Sequence, residues 1–279
     1  MWETIKKTSR GFSLLELMFA MAIGLTVLAA TIGVFVRQSE IVRDENDGTK
    51  IRAKGRQAIH ILAREVRMAG YGLPPTQAIA GYAQASEPTM TEVLPDDLLP
   101  PTVNSIRFRI NLENVRTFLD LSASGVSSAS STISVIDSSL FSSGDRIALF
   151  SPDDQTTWDE NLLTIDSVSG NDISFAPVLI HTYNPDHIPG SVQVAKFIDY
   201  EIRLDEDNRQ IVKSAAGLQT NLVNEVALAT DNGLLFDFNG AETPAEVERI
   251  GIQLNLVDGN NPDAIIEFKT DVAIRNSYS

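Results

Sequence analysis

Apolar residues fill nearly every position from residue 12 to residue 36, and Glu16 is the single ionisable side chain among these 25 residues. A helix of that length spans about 37 Å, enough to cross a bilayer core of about 30 Å. An acid inside such a segment costs about 2.5 kcal/mol or more, so Glu16 requires a partner or a function. The pattern predicts a membrane-spanning helix that carries one functional carboxylate near its start.

The helical pattern continues past the apolar run with a change to amphipathic periodicity. Three- and four-residue spacing relates one apolar set: Ile51, Gly55, Ile59, Leu62 and Val66. The opposite face is basic and carries Lys50, Arg52, Lys54, Arg56, Arg64 and Arg67. Glycines and prolines in residues 70–75 are stop signals, so one helix is predicted over residues 12–69.

Alternating and β-branched runs dominate the rest of the chain and predict strands joined by short polar turns. The region from Pro75 to residue 104 reads as loop, and the first strand is expected at residues 105–110. Further strands are expected at residues 132–136, 145–150, 162–168, 172–175, 192–204, 210–213, 234–238, 248–257 and 264–274. Residues 221–229 fit either a short strand or a short helix.

These elements predict an α+β fold in which a long N-terminal helix packs on a mainly antiparallel β-sheet head. The helix comprises a membrane anchor and an amphipathic half, and the head contains an inserted small β module. The expected segments are a leader at 1–11, a transmembrane helix at 12–36, an amphipathic helix at 37–72, a loop-rich part with the first strand at 73–131, the β module at 132–190 and a C-terminal antiparallel sheet at 191–279.

Charge and cysteine usage narrow the functional classes. The 279 residues carry a net charge of −15, which argues against nucleic acid as the main partner because phosphate binding needs a basic surface. Basic residues before the apolar run, Lys6, Lys7 and Arg10, place that end in the cytoplasm and the head in the periplasm. The absence of cysteine excludes thiol catalysis and cysteine-ligated zinc.

A cleavable secretory signal peptide is the simplest alternative for the N-terminus. Such a peptide has a shorter apolar core that is followed by a small-residue cleavage site. Here the apolar run is too long and its small residues lie inside it, so an ordinary signal peptide is disfavoured. A plain membrane anchor would leave Glu16 unexplained.

The run Gly11-Phe12-Ser13-Leu14-Leu15-Glu16-Leu17 resembles the class III signal of type IV pilins and of the pseudopilins of type II secretion. The resemblance implies that a prepilin peptidase cleaves after Gly11 and that the new N-terminus, Phe12, is N-methylated. Glu16, the fifth residue of the processed chain, would pair with the terminal amine of its own or a neighbouring subunit. The apolar helix would anchor the subunit in the inner membrane and later form the filament core.

The residues at the end of the helix carry a second resemblance to known proteins. Arg64, Arg67, Ala69, Gly70 and Tyr71 resemble the run that closes the long helix in PilW-like minor pilins and in the J-type minor pseudopilin. The resemblance implies a minor pilin that primes pilus assembly in a tip complex and reaches the extracellular fimbrium. Its expected partners are the prepilin peptidase, other minor and major pilins, the inner-membrane assembly platform, a tip adhesin and the membrane itself.

Three rival functions stay open at this point. The nearest is a J-type minor pseudopilin of a type II secretion system, which shares the anchor. Another class is a single-pass envelope enzyme or binding protein, which requires an uncleaved N-terminus and a cleft with convergent polar groups. A DNA-uptake pilin requires a basic patch on the head and salt-dependent DNA binding.

No catalytic, cofactor or phosphate-binding motif occurs in the chain, which indicates a protein without enzymatic activity or cofactor. Acidic turns are weak candidates for calcium but match no complete ligand pattern. They are Asp205, Asp207 and Asn208; Asp153, Asp154, Asp159 and Glu160; and Asp258, Asn260 and Asp263. Among the histidines, His181 and His187 lack the spacing of zinc motifs, and His60 lies on the helix.

Overall fold

The computed structural model describes residues 13–73, 78–84, 87–94, 97–120, 125–151, 162–183, 192–258 and 261–274. The chain divides into two compact units, residues 1–50 and residues 51–279. One helix, α1 (Leu14–Arg67), has its N-terminal part in the first unit and its C-terminal part in the second. The two units are described separately below.

The described part of the first unit is helical from Leu14 onward, and its apolar side chains are exposed. Every large apolar residue from Leu14 to Val36 is at least half exposed. The segment is long and apolar enough to cross a membrane, by length and composition. Burial in lipid, rather than in protein, is the environment that such a surface suits.

The second unit contains all the strands. They are β1 (Ile79–Gln84), β2 (Glu87–Glu92), β3 (Thr102–Val103), β4 (Ser105–Ile110), β5 (Arg116–Phe118), β6 (Thr132–Ser134), β7 (Arg146–Phe150), β8 (Leu163–Ser169), β9 (Asp172–Ala176), β10 (Gln193–Asp205), β11 (Gln210–Ala215), β12 (Leu218–Asn224), β13 (Leu234–Asp237), β14 (Arg249–Asp258) and β15 (Asn261–Ala273). Every described pairing between them is antiparallel. The predicted α+β fold with an antiparallel head is therefore confirmed.

The main core forms between the last part of α1 and the strands. Ile51, Ala58, Leu62 and Val66 share one helical face and are buried against apolar residues of both sheets. The three- and four-residue spacing of apolar residues predicted this face. Apolar side chains of the strands form the layer that packs against it. Among the described residues, eleven strands form one sheet and β15-β14-β13-β3 form the other.

Strand β10 connects the two halves of the large sheet. Its C-terminal half pairs with β4 and β11, whereas its N-terminal half pairs with β5 and β7. Strands β7, β8, β9 and β6 follow in that order and enclose a second apolar core around Phe175 and Tyr183. This core also takes Val115, Leu119, Val192 and Val194, so it extends beyond residues 132–190 on both sides.

The prediction of a loop between Pro75 and residue 104 is wrong. Strands β1 and β2 form a hairpin in this region, and β3 follows them. The sequence of β1, IAGYAQ, lacks clear alternation because Ile79, Ala80 and Gly81 are all buried. Strand β1 lies between β2 and β4, so its backbone is paired on both edges. Small residues allow other elements to pack closely on such a strand. Because they do not alternate with polar residues, the hydrophobic pattern alone does not distinguish this strand from a loop.

The undecided stretch at 221–229 is divided between two elements. Residues up to Asn224 belong to β12, which pairs with β11, and a short 3-10 turn begins at Ala229. In the serine-rich residues 125–131, Val126 forms a β-bridge with Tyr183, so pairing with a distant residue orders this part of the chain.

Close packing against Phe268 explains why a glycine occupies position 55. A Cβ atom added at Gly55 would lie 2.0 Å from Cζ of Phe268 on β15, so the ring occupies the space above the glycine. Gly48, on the same helix, has no neighbouring atom within 4 Å of its added Cβ. A glycine-to-alanine substitution therefore adds the same methyl group at both positions, next to the Phe268 ring at Gly55 and in open space at Gly48.

We expect Gly55→Ala to destabilise the protein by about 2 kcal/mol through overpacking, despite the gain in helix propensity. Gly48→Ala should be neutral or stabilising by up to about 1 kcal/mol. Thermal unfolding of the full chain in detergent measures both. In the background of Phe268→Ala, the Gly55→Ala substitution should lose its cost; an undiminished cost would contradict the contact.

Candidate functional site

The side chains of Ser13 and Glu16 accept hydrogen bonds from backbone N–H groups at the start of α1. The backbone N–H of Ser13 donates to Oε2 of Glu16 at 3.2 Å, and the N–H of Leu15 donates to Oγ of Ser13 at 3.4 Å. The arrangement is close to a capping box, with the Ser13 hydroxyl accepting from the second helical residue rather than from Glu16, and it satisfies N–H groups that have no intrahelical partner. Glu16 is also the acidic residue in the first helical turn, where the helix dipole favours negative charge.

The capping role of Glu16 was missed by the sequence analysis, although Ser-x-x-Glu before an apolar run is its recognised signal. The predicted cleavage and methylation positions, Gly11 and Phe12, lie outside the described residues. The pairing of Glu16 with the amine of Phe12 therefore stays a prediction. Ser13 is adjacent to Phe12 in the chain, so the two roles of the carboxylate involve neighbouring backbone groups.

Polar side chains inside the apolar segment are satisfied by the helix itself. The hydroxyl of Thr26 donates to the carbonyl oxygen of Ile23 at 2.8 Å, and that of Thr31 donates to Val27 at 2.8 Å. Such bonds remove the cost of placing a hydroxyl in hydrocarbon. Gly24 and Gly33 have no atom within 4 Å of an added Cβ, so both leave a free surface on the helix.

Comparison with protein families finds the prokaryotic N-terminal methylation motif over residues 6–32. The match covers the basic leader, the capped start of α1 and most of the apolar segment. The chain carries a class III prepilin-type signal. Its N-terminal region is thus that of type IV pilin-like proteins, with a helix fit for a single-pass membrane anchor.

Other comparisons add little. A search of curated proteins finds no match. Among solved structures, the chain is similar to the Gp54 tailspike of Acinetobacter baumannii bacteriophage AP22, in complex with A. baumannii capsular saccharide. The identity is 21%, the match covers 33% of this chain and 15% of the tailspike, and the TM-score is 0.25. A TM-score of that size does not establish a shared fold.

The segment that closes the helix forms a buried turn against β4. Ala69 is fully buried, and Gly70 adopts a left-handed backbone with φ of 74°. The N–H of Gly70 donates to the carbonyl oxygen of Arg109 at 2.9 Å, and the N–H of Asn111 donates to that of Tyr71 at 2.9 Å. A small residue, a glycine and an aromatic residue in this order therefore have a packing and backbone explanation.

A polar clamp joins the last helical turns to β10 and β11. The hydroxyl of Tyr200 donates to the carbonyl oxygen of Glu65 at 2.6 Å. The Glu65 carboxylate pairs with Nζ of Lys213 at 2.5 Å, and that ammonium lies 4.6 Å from the Tyr200 ring centroid. Burial, and then the charge of Glu65, raise the pKa of the Tyr200 phenol far above its usual value, so it stays a hydrogen-bond donor.

The opposite face of the large sheet carries a network of opposite charges. Arg109 is buried, and its Nε lies 3.7 Å from Oδ1 of Asp199 on the neighbouring strand. Arg146 donates to the second oxygen of Asp199. Burial lowers the pKa of Arg109 to about 10, with Asp199 acting in the opposite direction. These opposite charges lie across neighbouring strands, and Nε of Arg109 meets Oδ1 of Asp199 as an ion pair without a hydrogen bond.

The weak calcium candidate at Asp205 is a self-satisfied turn. Oδ2 of Asp205 accepts from Nδ2 of Asn208 at 2.9 Å and from Nε2 of Gln210 at 3.0 Å. These hydrogen bonds, with the Asn208 contribution largest, lower the pKa of Asp205 below its usual value. The amide hydrogens occupy the lone pairs that a cation would need. Asp207 is exposed and is not brought to this carboxylate by any described contact.

The other metal candidates are not assembled by the described residues. No group of three or more His, Asp or Glu side chains within the described ranges could hold a metal ion. Asp153, Asp154, Asp159, Glu160, His187 and Asn260 lie outside those ranges, as do the side chains of Asp258 and Asp263. His60 is exposed on α1, and His181 lies next to the β module core.

The described surface of the head includes two concavities that are lined by charged residues. The larger, about 360 Å³, lies on β13, β14 and β15 above Gly251, with Asp237, Gln253, Lys269 and Asp271 around it. The smaller, about 200 Å³, is bordered by Lys196, whose ammonium pairs with Glu113 and Asp145 at 3.4 and 3.0 Å. Neither contains a serine, cysteine or histidine, so neither offers the usual nucleophile and base of acyl transfer.

We expect three substitutions to separate the two roles of Glu16. Glu16→Gln keeps a side-chain acceptor for the Ser13 N–H but removes the charge, Glu16→Val removes both, and Ser13→Ala removes only the acceptor for the Leu15 N–H. If charge decides incorporation into a filament, Glu16→Gln and Glu16→Val should fail equally, while Ser13→Ala should assemble. Membrane insertion should persist in all three, since the apolar run is unchanged.

Immunoblots of sheared filaments measure incorporation, and immunoblots of membrane fractions measure insertion. Normal assembly of Glu16→Gln would leave capping as the residue's role.

The turn at Asp205 predicts a pH dependence. Its folded-state pKa is lowered, so its contribution to stability is present at neutral pH and is lost as pH falls through about 3.8 and below. Asp205→Asn should reduce the acid sensitivity of unfolding without introducing a calcium effect. Thermal unfolding at several pH values, with and without calcium, measures this. A calcium-induced rise in Tm that disappears in Asp205→Asn would establish a metal site there.

Proposed function

We propose that this chain is a minor pilin of a type IV pilus, a structural subunit without enzymatic activity that primes assembly from a tip complex. The observation that carries the proposal is the methylation motif over residues 6–32, joined to a capped apolar helix with one carboxylate in its first turn. The similarity of Arg64, Arg67, Ala69, Gly70 and Tyr71 to PilW-like proteins supports the minor class.

The mechanism is mechanical. The membrane stores the processed subunit, and packing between apolar helices accompanies its transfer into the filament. Glu16 pairs with the new amine at Phe12, which avoids a buried unpaired charge in that apolar environment. Its carboxylate is held at the helix terminus by the Ser13 N–H, so it starts close to the chain end that cleavage creates.

The second unit is suited to carry load. Within it, helical residues 51–67 are fixed to the sheets by an apolar face and by the clamp of Glu65, Tyr200 and Lys213. A force applied to these turns passes into β10, which is paired with four other strands. The β module that shares β10 presents a separate display surface, which we propose contacts neighbouring minor pilins or an adhesin.

The same features serve a minor pseudopilin of a type II secretion system. The two systems differ in their outputs, and deletion of the gene distinguishes them. Loss of pili, adhesion or twitching motility would support the pilus. Loss of secretion with intact pili would support the pseudopilus and overturn the pilus assignment.

We expect the mature protein from native membranes to begin with N-methylated Phe12. Gly11→Leu should leave a precursor about 1.2 kDa heavier, since 279 residues weigh 30.4 kDa and the leader has 11. Gly24→Leu, with the same change inside the apolar run, is the matched control and should be processed normally. Mass spectrometry of the intact chain measures all three. A mature chain that keeps its initiator methionine would contradict the proposal.

A further inference from the structure

Basic side chains line the exposed face of the helix within the second unit. Arg52, Arg56, His60, Arg64 and Arg67 are all exposed and follow one another at spacings of four, four, four and three residues. Such spacing places them in one row, the basic stripe, along about 22 Å of helix. The buried face of Ile51, Gly55, Ala58, Leu62 and Val66 lies on the other side.

The stripe contrasts with the rest of the head. Residues 51–67 contain five basic residues and one acid, a net charge of +4. Residues 68–279 contain eleven basic and thirty acidic residues, a net charge of −19. Basic residues thus outnumber acids only in the helical part of the second unit, and acids outnumber basic residues in the rest of it.

The stripe has few partners within the part of the chain that the structure describes. Arg52, Arg56 and Arg67 form no ion pair there, and Arg64 reaches only its neighbour Glu65 at 3.5 Å. By contrast, Lys54, at the flank of the stripe, pairs with Glu225 at 2.5 Å, and Arg107 and Arg146 of the large sheet pair with acids on neighbouring strands. Most arginines of the stripe therefore have charges that no described acid neutralises.

We propose that the basic stripe is an interaction surface that docks the acidic head of a second copy of this chain. Charge complementarity is the reason, because the +4 stripe and the −19 remainder belong to the same subunit. The two surfaces are different, so the contact is heterologous and can repeat from one subunit to the next. Nucleic acid is the less suitable occupant, because the acidic remainder would repel a long polyanion that extends past the stripe.

Exposed ion pairs are individually weak, so the contact draws its strength from several charges acting together. It should weaken with salt, because the Debye length falls from about 10 Å at 0.1 M to about 3 Å at 1 M. The contact does not rest on the proposed function, since it needs only the helix and the head.

A single-cysteine crosslink tests the contact on the full chain in native membranes. The protein has no cysteine, so Gln57→Cys, exposed beside the stripe, carries a thiol-attached photocrosslinker at one known place. We expect a product of two chains that becomes weaker in high salt. The triple variant Arg52→Glu, Arg56→Glu and Arg64→Glu should lose about tenfold of that product. The triple variant with lysine at the same positions keeps the charge and should retain it.

Leu218→Cys, exposed at the first position of β12, is the positional control, and its labelling should not depend on the charge of the stripe. Unchanged Tm in both triple variants shows that they fold. The proposal would be overturned if no two-chain product formed or if that product survived charge reversal. A crosslink to another protein or to nucleic acid would also overturn it. The mature N-terminus, read on the same sample, reports separately on prepilin processing.

Discussion

The second unit depends on one packing interaction, the burial of a narrow helical face by strands from two sheets. Leu62 and Val66 are completely buried, and Ala58 and Gly55 keep the backbone close enough for strand side chains to reach across. Apolar contact supplies most of this stability, because each buried aliphatic side chain contributes about 1.5–3 kcal/mol. The clamp of Glu65, Tyr200 and Lys213 then selects one position of the helix along the sheet.

Charge is arranged according to environment in each unit. In the apolar segment the single carboxylate lies at the first turn, where backbone N–H groups and the helix dipole accept it. On the large sheet, Arg109, Arg146 and Asp199 compensate one another, so burial does not leave an isolated charge. On the exposed helix face, Arg64 contacts Glu65 at 3.5 Å, and Arg52, Arg56 and Arg67 form no ion pair with the described residues, which is why the basic stripe stands out as a surface for another molecule.

Several elements could be predicted because their signal is local. Strands β10 and β14 alternate strongly, and their expected bounds agree with the structure within one or two residues. The β1–β2 hairpin could not be recognised, because Ile79, Ala80 and Gly81 are buried together and leave no period-two pattern. The hydrogen bond from the Ser13 N–H to Glu16 also has a local signal, Ser-x-x-Glu ahead of an apolar run, beside the separate signal of an acid within a membrane segment.

The sequence by itself determined the apolar segment, its single acid and the stop at residues 70–75, since these depend on composition and on contacts a few residues apart. Only the tertiary structure decided that β10 serves two sheet regions, that Phe268 fills the space above Gly55 and that Asp199 compensates Arg109. Each of these contacts joins residues far apart in the chain. Their partners are chosen by shape and by the cost of unpaired buried charge, which no local pattern records.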